Sequence, residues 1–194
     1  MKNMRVMAVI AVAGMTSVAS ADSLFTVDLS VIDQVTITAT SGVSSANATA
    51  SDYRGVYLAD FFGDSTGNLL SLLTGYGDLT SAGTTSDLSP ELFRDVSGVE
   101  TGVNLWEMTG GADHNFTAGA LAFTGSATWN VSSIGYAEML LSVGGGNVYA
   151  GADSIDDIGG AGVTLIGTWG TVIPAPSSMA LLGLGGLVAG RRRR

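Results

Sequence analysis

The chain has 194 residues, no cysteine and a formal net charge of −9. Only two of its eight basic residues, Arg54 and Arg94, lie between Asp22 and Val172, against all 17 acidic ones, so this middle stretch carries −15. Such a body repels nucleic acid and anionic lipid, and without cysteine it has neither disulfides nor thiol chemistry.

The chain opens with Lys2 and Arg5, an apolar run from Val6 to Val12, and then small residues ending in Ala19-Ser20-Ala21. A charged start, a short apolar core and an A-x-A site make up a secretory signal peptide. The core is too short for a span, which needs about 20 residues. Residues 1–21 are therefore expected to be a leader cut after Ala21, with Ala19 and Ala21 as the cleavage-site residues. Residues 22–172 follow as one domain, long enough to bury a core.

Within that body, alternation is the dominant pattern. Leu24 to Ile32 places Phe25, Val27, Leu29 and Val31 on one face, and Gln34 to Thr40 does the same with Val35, Ile37 and Ala39. Further β-rich runs are RGVYLADFF, GVNLWEM, AGALAFTGSATWNV, GYAEMLLSV and VTLIGTWGTV. Gly, Ser, Asn and Asp separate them, as in TSGVSSANATASD, TGGADHN and VGGGN, which read as turns. Short strands without intervening helices predict an all-β body, an antiparallel β-sandwich or jelly roll. TGNLLSLL and SPELFRD are predicted as helical exceptions of a turn or two, the second capped by Ser89 with Pro90 at the first helical position.

Four patterns in the body point to chemistry. GDSTG, Gly63 to Gly67, fits the G-x-S-x-G elbow around a nucleophilic Ser65, with Asp78, Asp87, Asp95 or Asp113 and then His114 in the chain order of an α/β-hydrolase. FGDSTGN also resembles the opening block of GDSL-type esterases. Their closing D-x-x-H is missing, because Gly111 stands three residues before His114. The alternating strands and helices of either fold are absent too, so a glycine-bounded turn is the better reading, and the body is expected not to be an enzyme. His114, the sole histidine, is expected in a loop, and zinc is excluded for want of further His or Cys ligands. Asp153, Asp156 and Asp157 cluster among glycines, as calcium ligands do, but their spacing fits no calcium loop, and a solvated loop is the expectation. Trp106, Trp129, Trp169, Tyr53, Tyr57, Tyr136 and Tyr149 have the chemistry of a sugar-stacking platform, yet most sit in predicted strands, where core packing is the default. The sequons at Asn47, Asn115 and Asn130 are common in an Asn- and Thr-rich chain.

The chain closes with IPAPSSMALLGLGGLVAGRRRR. A helix over Met179 to Gly190 would reach only about 18 Å, against a hydrocarbon core of about 30 Å. Its four glycines weaken it further. Arg191, Arg192, Arg193 and Arg194 would stop transfer and stay on the cytoplasmic side, leaving the body outside. The geometry suits a temporary membrane hold removed by an enzyme.

A proline pair, a short Leu/Gly/Ala-rich segment and a terminal arginine cluster resemble the PEP-CTERM sorting signal of Gram-negative bacteria. The resemblance covers residues 173–194: Pro174 and Pro176 stand at the prolines, Met179 to Gly190 at the membrane segment and Arg191 to Arg194 at the basic end, with Ala175 where the family usually has Glu. It implies export, recognition by an exosortase (a membrane cysteine transpeptidase), and delivery to the cell surface or an extracellular matrix. A cut between Pro174 and Ser177 would release or transfer the body. The expected function is that of an exported structural or interaction protein that meets the membrane through its tail. Extracellular polysaccharide is a further candidate partner. A carbohydrate- or calcium-dependent binding module is the alternative, and a secreted serine hydrolase the third.

Overall fold

Alternating apolar residues give each strand one face to bury, and the fold solves the problem by wrapping most strands into one sheet around a common core. The computed structural model describes residues 21–63, 73–84, 90–94, 100–106 and 111–172. In chain order the strands are β1 (Ser23–Asp28), β2 (Gln34–Ala39), β3 (Ala48–Ala50), β4 (Val56–Leu58), β5 (Leu73–Thr74), β6 (Tyr76–Gly77) and β7 (Thr80–Ser81). Then come β8 (Glu91–Phe93), β9 (Val103–Leu105), β10 (His114–Phe116), β11 (Phe123–Thr124) and β12 (Ser126–Asn130). Helix α1 (Ser133–Leu140), β13 (Gly145–Ala150), a 3₁₀ turn (Ile155–Asp157) and β14 (Thr164–Val172) complete the described chain.

Ten strands form one sheet in the order β5-β8-β9-β4-β13-β14-β1-β2-β12-β6; β3 pairs with β10 and β7 with β11 in two small sheets. Its two end strands, β5 and β6, are separated along the chain by Gly75 alone. Leu73 and Thr74 pair with β8, while Tyr76 and Gly77 pair with β12. One five-residue segment thus holds both edges, and the sheet nearly closes on itself. Gly75 is required there, because a Cβ would lie 2.6 Å from the Trp129 indole nitrogen.

Counting that segment once, the ring has nine strands. A closed ring with an odd number of strands cannot alternate direction throughout, so at least one pair must be parallel. That pair is β1 with β14, Phe25 facing Trp169 and Asp28 facing Val172. The other pairings in the sheet are antiparallel. The all-β expectation therefore holds, with two differences. One large sheet stands where two facing sheets were expected, and its first and last strands run side by side in parallel.

Inward positions are apolar: Phe25, Val27, Val35, Ile37, Trp129, Val148 and Ile166 are buried. Phe123 joins three of the rings, 4.3 Å from Phe25, 5.2 Å from Phe116 and stacked on Trp106 at 5.8 Å. The indole N–H of Trp129 donates to Pro90 O at 3.0 Å and that of Trp169 to Ala59 O at 2.8 Å. Burying such a side chain stabilises by roughly 1.5–3 kcal/mol. Outward positions on β2 and β12 are hydroxyls and amides, whereas on β4 and β13 the outward Tyr57 and Tyr149 pack with Ala152, Ile155 and Ile158 in a second apolar cluster. The Thr36 and Thr128 hydroxyls meet at 2.8 Å, and Gln34 donates to Asn130 at 3.0 Å.

Four expectations need correction. The strand expected over Leu24 to Ile32 ends at Asp28, so Leu29 is only half-buried and Val31 lies exposed on the turn that follows. SPELFRD does not supply a helix: Glu91 to Phe93 form β8, with Leu92 buried opposite Leu73 and Leu105. The Ser-Pro-Glu signal is local, and pairing on both sides outweighs it. GYAEMLLSV does not supply a strand. Ser132 caps α1 by accepting from the Gly135 N–H at 3.1 Å, and Gly135, Glu138 and Met139 form its buried face at helical spacing. His114 is not in a loop; it opens β10 and is fully buried. The helix expected in TGNLLSLL falls almost wholly on residues outside the described ones, as does the short hydrophobic helix expected in the tail. Among the described residues no helix is long and apolar enough to cross a membrane.

Candidate functional site: the junction of body and tail

Because β1 and β14 run parallel, both finish at the same end of the sheet. There β2 and β13 begin and β12 finishes. The turn after β1 carries Asp33 in the left-handed region (φ 59°), where a short polar side chain is tolerated. The Tyr136 hydroxyl donates to Leu29 O at 2.5 Å, and the Val131 N–H to Asp33 O at 2.9 Å, tying α1 and its approach to that turn. The Thr171 N–H and hydroxyl both donate to Gly144 O, at 2.8 and 3.1 Å. The sheet thus grips the chain up to the residue before Val172. Beside Val172 lies a cavity of about 100 Å³ against Leu29, Met139 and Leu140.

The surface around this exit is apolar. Val31 and Ile32 are exposed on the turn, Ile134, Leu140 and Leu141 at α1, and Val143 and Val172 beside the cavity. The opposite end, built from the turn at 51–55 and the start of the loop 151–163, carries Arg54 and the acidic Asp52, Asp153, Asp156 and Asp157.

Two buried polar clusters lie between the ends. Arg94, 1% exposed, donates to Glu138 Oε2 at 2.6 Å and to Glu100 O at 2.7 Å, with its guanidinium 4.0 Å above the Phe62 ring. The Glu100 carboxylate accepts from the Tyr57 hydroxyl, from Gly102 N–H at 2.6 Å and from Ile155 N–H at 3.0 Å. Burial pushes the Tyr57 phenol far above its usual value, and the hydrogen bond and charge of Glu100 push it the same way. The network runs from α1 to the loop 151–163.

The second cluster holds His114. Its Nδ1 is 3.0 Å from the Ser81 hydroxyl and its Nε2 is 3.7 Å from Asp52 Oδ1, while Trp106 packs on its ring at 4.7 Å. Ser, His and Asp are present, with Ser81 and His114 both at 0% exposure. Neither cluster was visible in the sequence. The one signal was that Arg94 is one of only two cations in the body.

The sequence-derived candidates fare unevenly. Ser65, Asp87 and Asp95 lie outside the described residues, and Asp78 accepts from Ser126 N–H, away from His114. Asp157 accepts from Asp153 N–H at 3.0 Å, closing the 3₁₀ turn. Among the described residues no group of three or more His, Asp or Glu is placed to hold a metal ion. Trp106, Trp129 and Trp169 are all core residues, and so is Tyr57; among the seven aromatics named above only Tyr53 is exposed as a large ring, and no platform exists. Ala19, Pro174, Ala175, Pro176 and Arg191 to Arg194 lie outside the described residues; Ala21 is the first described residue, half-buried.

The chain beyond the grip of β14 is decided by comparison with known families. Residues 172–194 match the PEP-CTERM protein-sorting motif. The match starts at Val172, the last residue of β14, so the PEP-CTERM motif follows the sheet with no linker. It spans Pro174, Ala175 and Pro176 although Ala175 replaces the usual Glu. The motif marks a protein that an exosortase processes, exported and sorted to the cell envelope or surface. No curated protein and no solved structure gives a match to the chain.

Proposed function

We propose that this protein is a non-enzymatic structural or interaction component of the cell surface or extracellular matrix, held in the membrane by its tail until an exosortase-type enzyme cuts the chain. The observation that carries this reading is the PEP-CTERM motif, whose match begins at the last residue of the final strand of a nearly closed sheet. In this reading Pro174, Ala175 and Pro176 are presented to the enzyme and Arg191 to Arg194 hold the tail on the cytoplasmic side. The start of the fold suits a leader cut after Ala21. Asp22 O already accepts from the Thr168 N–H at 2.9 Å, and Asp22 Oδ2 from the Val43 N–H at 3.1 Å. Extracellular polysaccharide, a hydroxyl-rich partner, suits the Thr, Asn and Gln outer wall. The buried tryptophans give the stacking alternative no support.

Mass spectrometry of protein from the membrane and extracellular fractions of the native host tests the reading. The expected extracellular form begins at Asp22 and ends before Met179, the cut falling between Pro174 and Ser177. Release of nothing, with Arg194 intact on membrane-bound protein, would instead make the tail a permanent anchor.

A further inference from the structure

Eleven large apolar side chains are exposed among the described residues, and seven of them surround the exit of the sorting motif. Scattered exposed apolar residues are ordinary, but seven gathered at one end of a sheet mark a surface meant to be covered. The most exposed are Val143 (83%), Ile32 (76%) and Leu141 (69%). They come from two different stretches of chain, the turn after β1 and the connection from α1 to β13, and none of the three lines the cavity beside Val172.

We propose that, while the tail is attached, this end of the body lies on the lipid bilayer, with Ile32, Leu141 and Val143 dipping into the boundary between headgroups and acyl chains. The inference rests on the reading of residues 173–194 as a membrane-held sorting tail. The chain's own geometry selects the occupant. Only residues 173–178 separate Val172 from the apolar run starting at Met179, a reach of at most about 25 Å when fully extended. Any bilayer holding that run lies within this distance of the apolar end. The contact would be apolar and not electrostatic. Among the described residues of the body, Arg54 sits at the opposite end and Arg94 is buried, while Asp28, Asp33 and Asp60 lie around the apolar end. Neutral lipid is therefore the matching surface, and the consequence is a sorting motif pinned at the membrane surface instead of free to swing.

The chain has no cysteine, so single labels are unambiguous. Full-length protein in neutral phosphatidylcholine nanodiscs would carry a nitroxide at Ile32→Cys, Val143→Cys, Tyr53→Cys on the opposite end, or Leu184→Cys in the tail. Accessibility to dissolved oxygen is compared with accessibility to a polar nickel reagent, and circular dichroism checks that each variant keeps its fold. The expected result is several-fold oxygen preference at 32, 143 and 184, and the reverse at 53. If 184 is in lipid while 32 and 143 behave like 53, the bilayer contact is wrong and the sorting reading stands. If 184 is also in water, the sorting reading fails and takes the contact with it. Spin–spin broadening at 32 or 143, with both reagents excluded, would overturn the proposal in favour of a second copy covering this end.

Discussion

The two ends of the sheet differ in what they present. At the end where β1 and β14 finish, Ile32, Leu141 and Val143 project into solvent beside the start of the sorting motif. At the other, the loop 151–163 and the turn at 51–55 present Asp153, Asp156, Asp157 and Arg54. Core requirements cannot explain the difference, since neither set belongs to the core. What separates the ends is the tail: one end is tied to it and the other faces away. The ends are nevertheless joined, because the Arg94 network reaches from Glu138 of α1 to Ile155 of the acidic loop.

That link gives the largest expected effect. Arg94→Ala leaves the Glu138 carboxylate without its nearest cation and strips Glu100 O of its guanidinium donor. Urea unfolding should show a loss of about 3–5 kcal/mol, and a loss below 1 kcal/mol would mean the two ends are independent. Gly75→Val comes next. Its side chain collides with Trp129 where one segment holds both sheet edges, so a cost of about 1–3 kcal/mol is expected. Faster hydrogen exchange at Tyr76 and Leu92 should accompany it.

Tyr57 gives a smaller, pH-dependent effect. Its folded value is raised, so its contribution is fully present below the unfolded tyrosine value of about 10 and is lost as pH rises beyond that. Wild-type stability should fall by up to about 1.4 kcal/mol per pH unit above pH 10 from this group. Tyr57→Phe should remove that slope while starting from a lower stability at neutral pH, because Glu100 loses a donor. Ile32→Ser and Val143→Ser should each change stability by less than about 0.5 kcal/mol, which would show that the apolar end is not maintained for folding. Smallest of all, millimolar calcium should leave the melting temperature unchanged. A clear rise would give the acidic end a function of its own to set against the apolar one.

How much was legible in the sequence depended on how local each feature is. In β2 and β12 the alternation of buried and outward residues is written in adjacent positions, and the structure follows it; in β1 it holds only from Phe25 to Asp28, where the strand ends before Val31. The tail was legible for the same reason, as its three parts lie side by side. What could not be read was set by partners far along the chain. Glu91 to Phe93 became a strand because Leu73 and Leu105 flank it, and the Ser81–His114 contact joins residues 33 apart. Helix α1 was missed because eight residues show the 3.6 period too briefly, though its Ser132 cap was in plain sight. Ring closure through Leu73 to Gly77 requires pairing on two sides by two-residue strands, a pattern without a local signature.

The parallel seam between β1 and β14 also sets an order of events. These strands are joined by contacts such as Thr168 to Asp22, 146 residues apart, so the loop that must close is nearly the whole body. Contacts this distant form slowly. In a chain threaded through a membrane N-terminus first, β1 would emerge early and wait beside an open edge until β14, the last strand, arrived. The seam would therefore be completed only when little more than the tail remained to cross. A cut after Val172 would then fall outside the completed seam and leave the finished fold untouched.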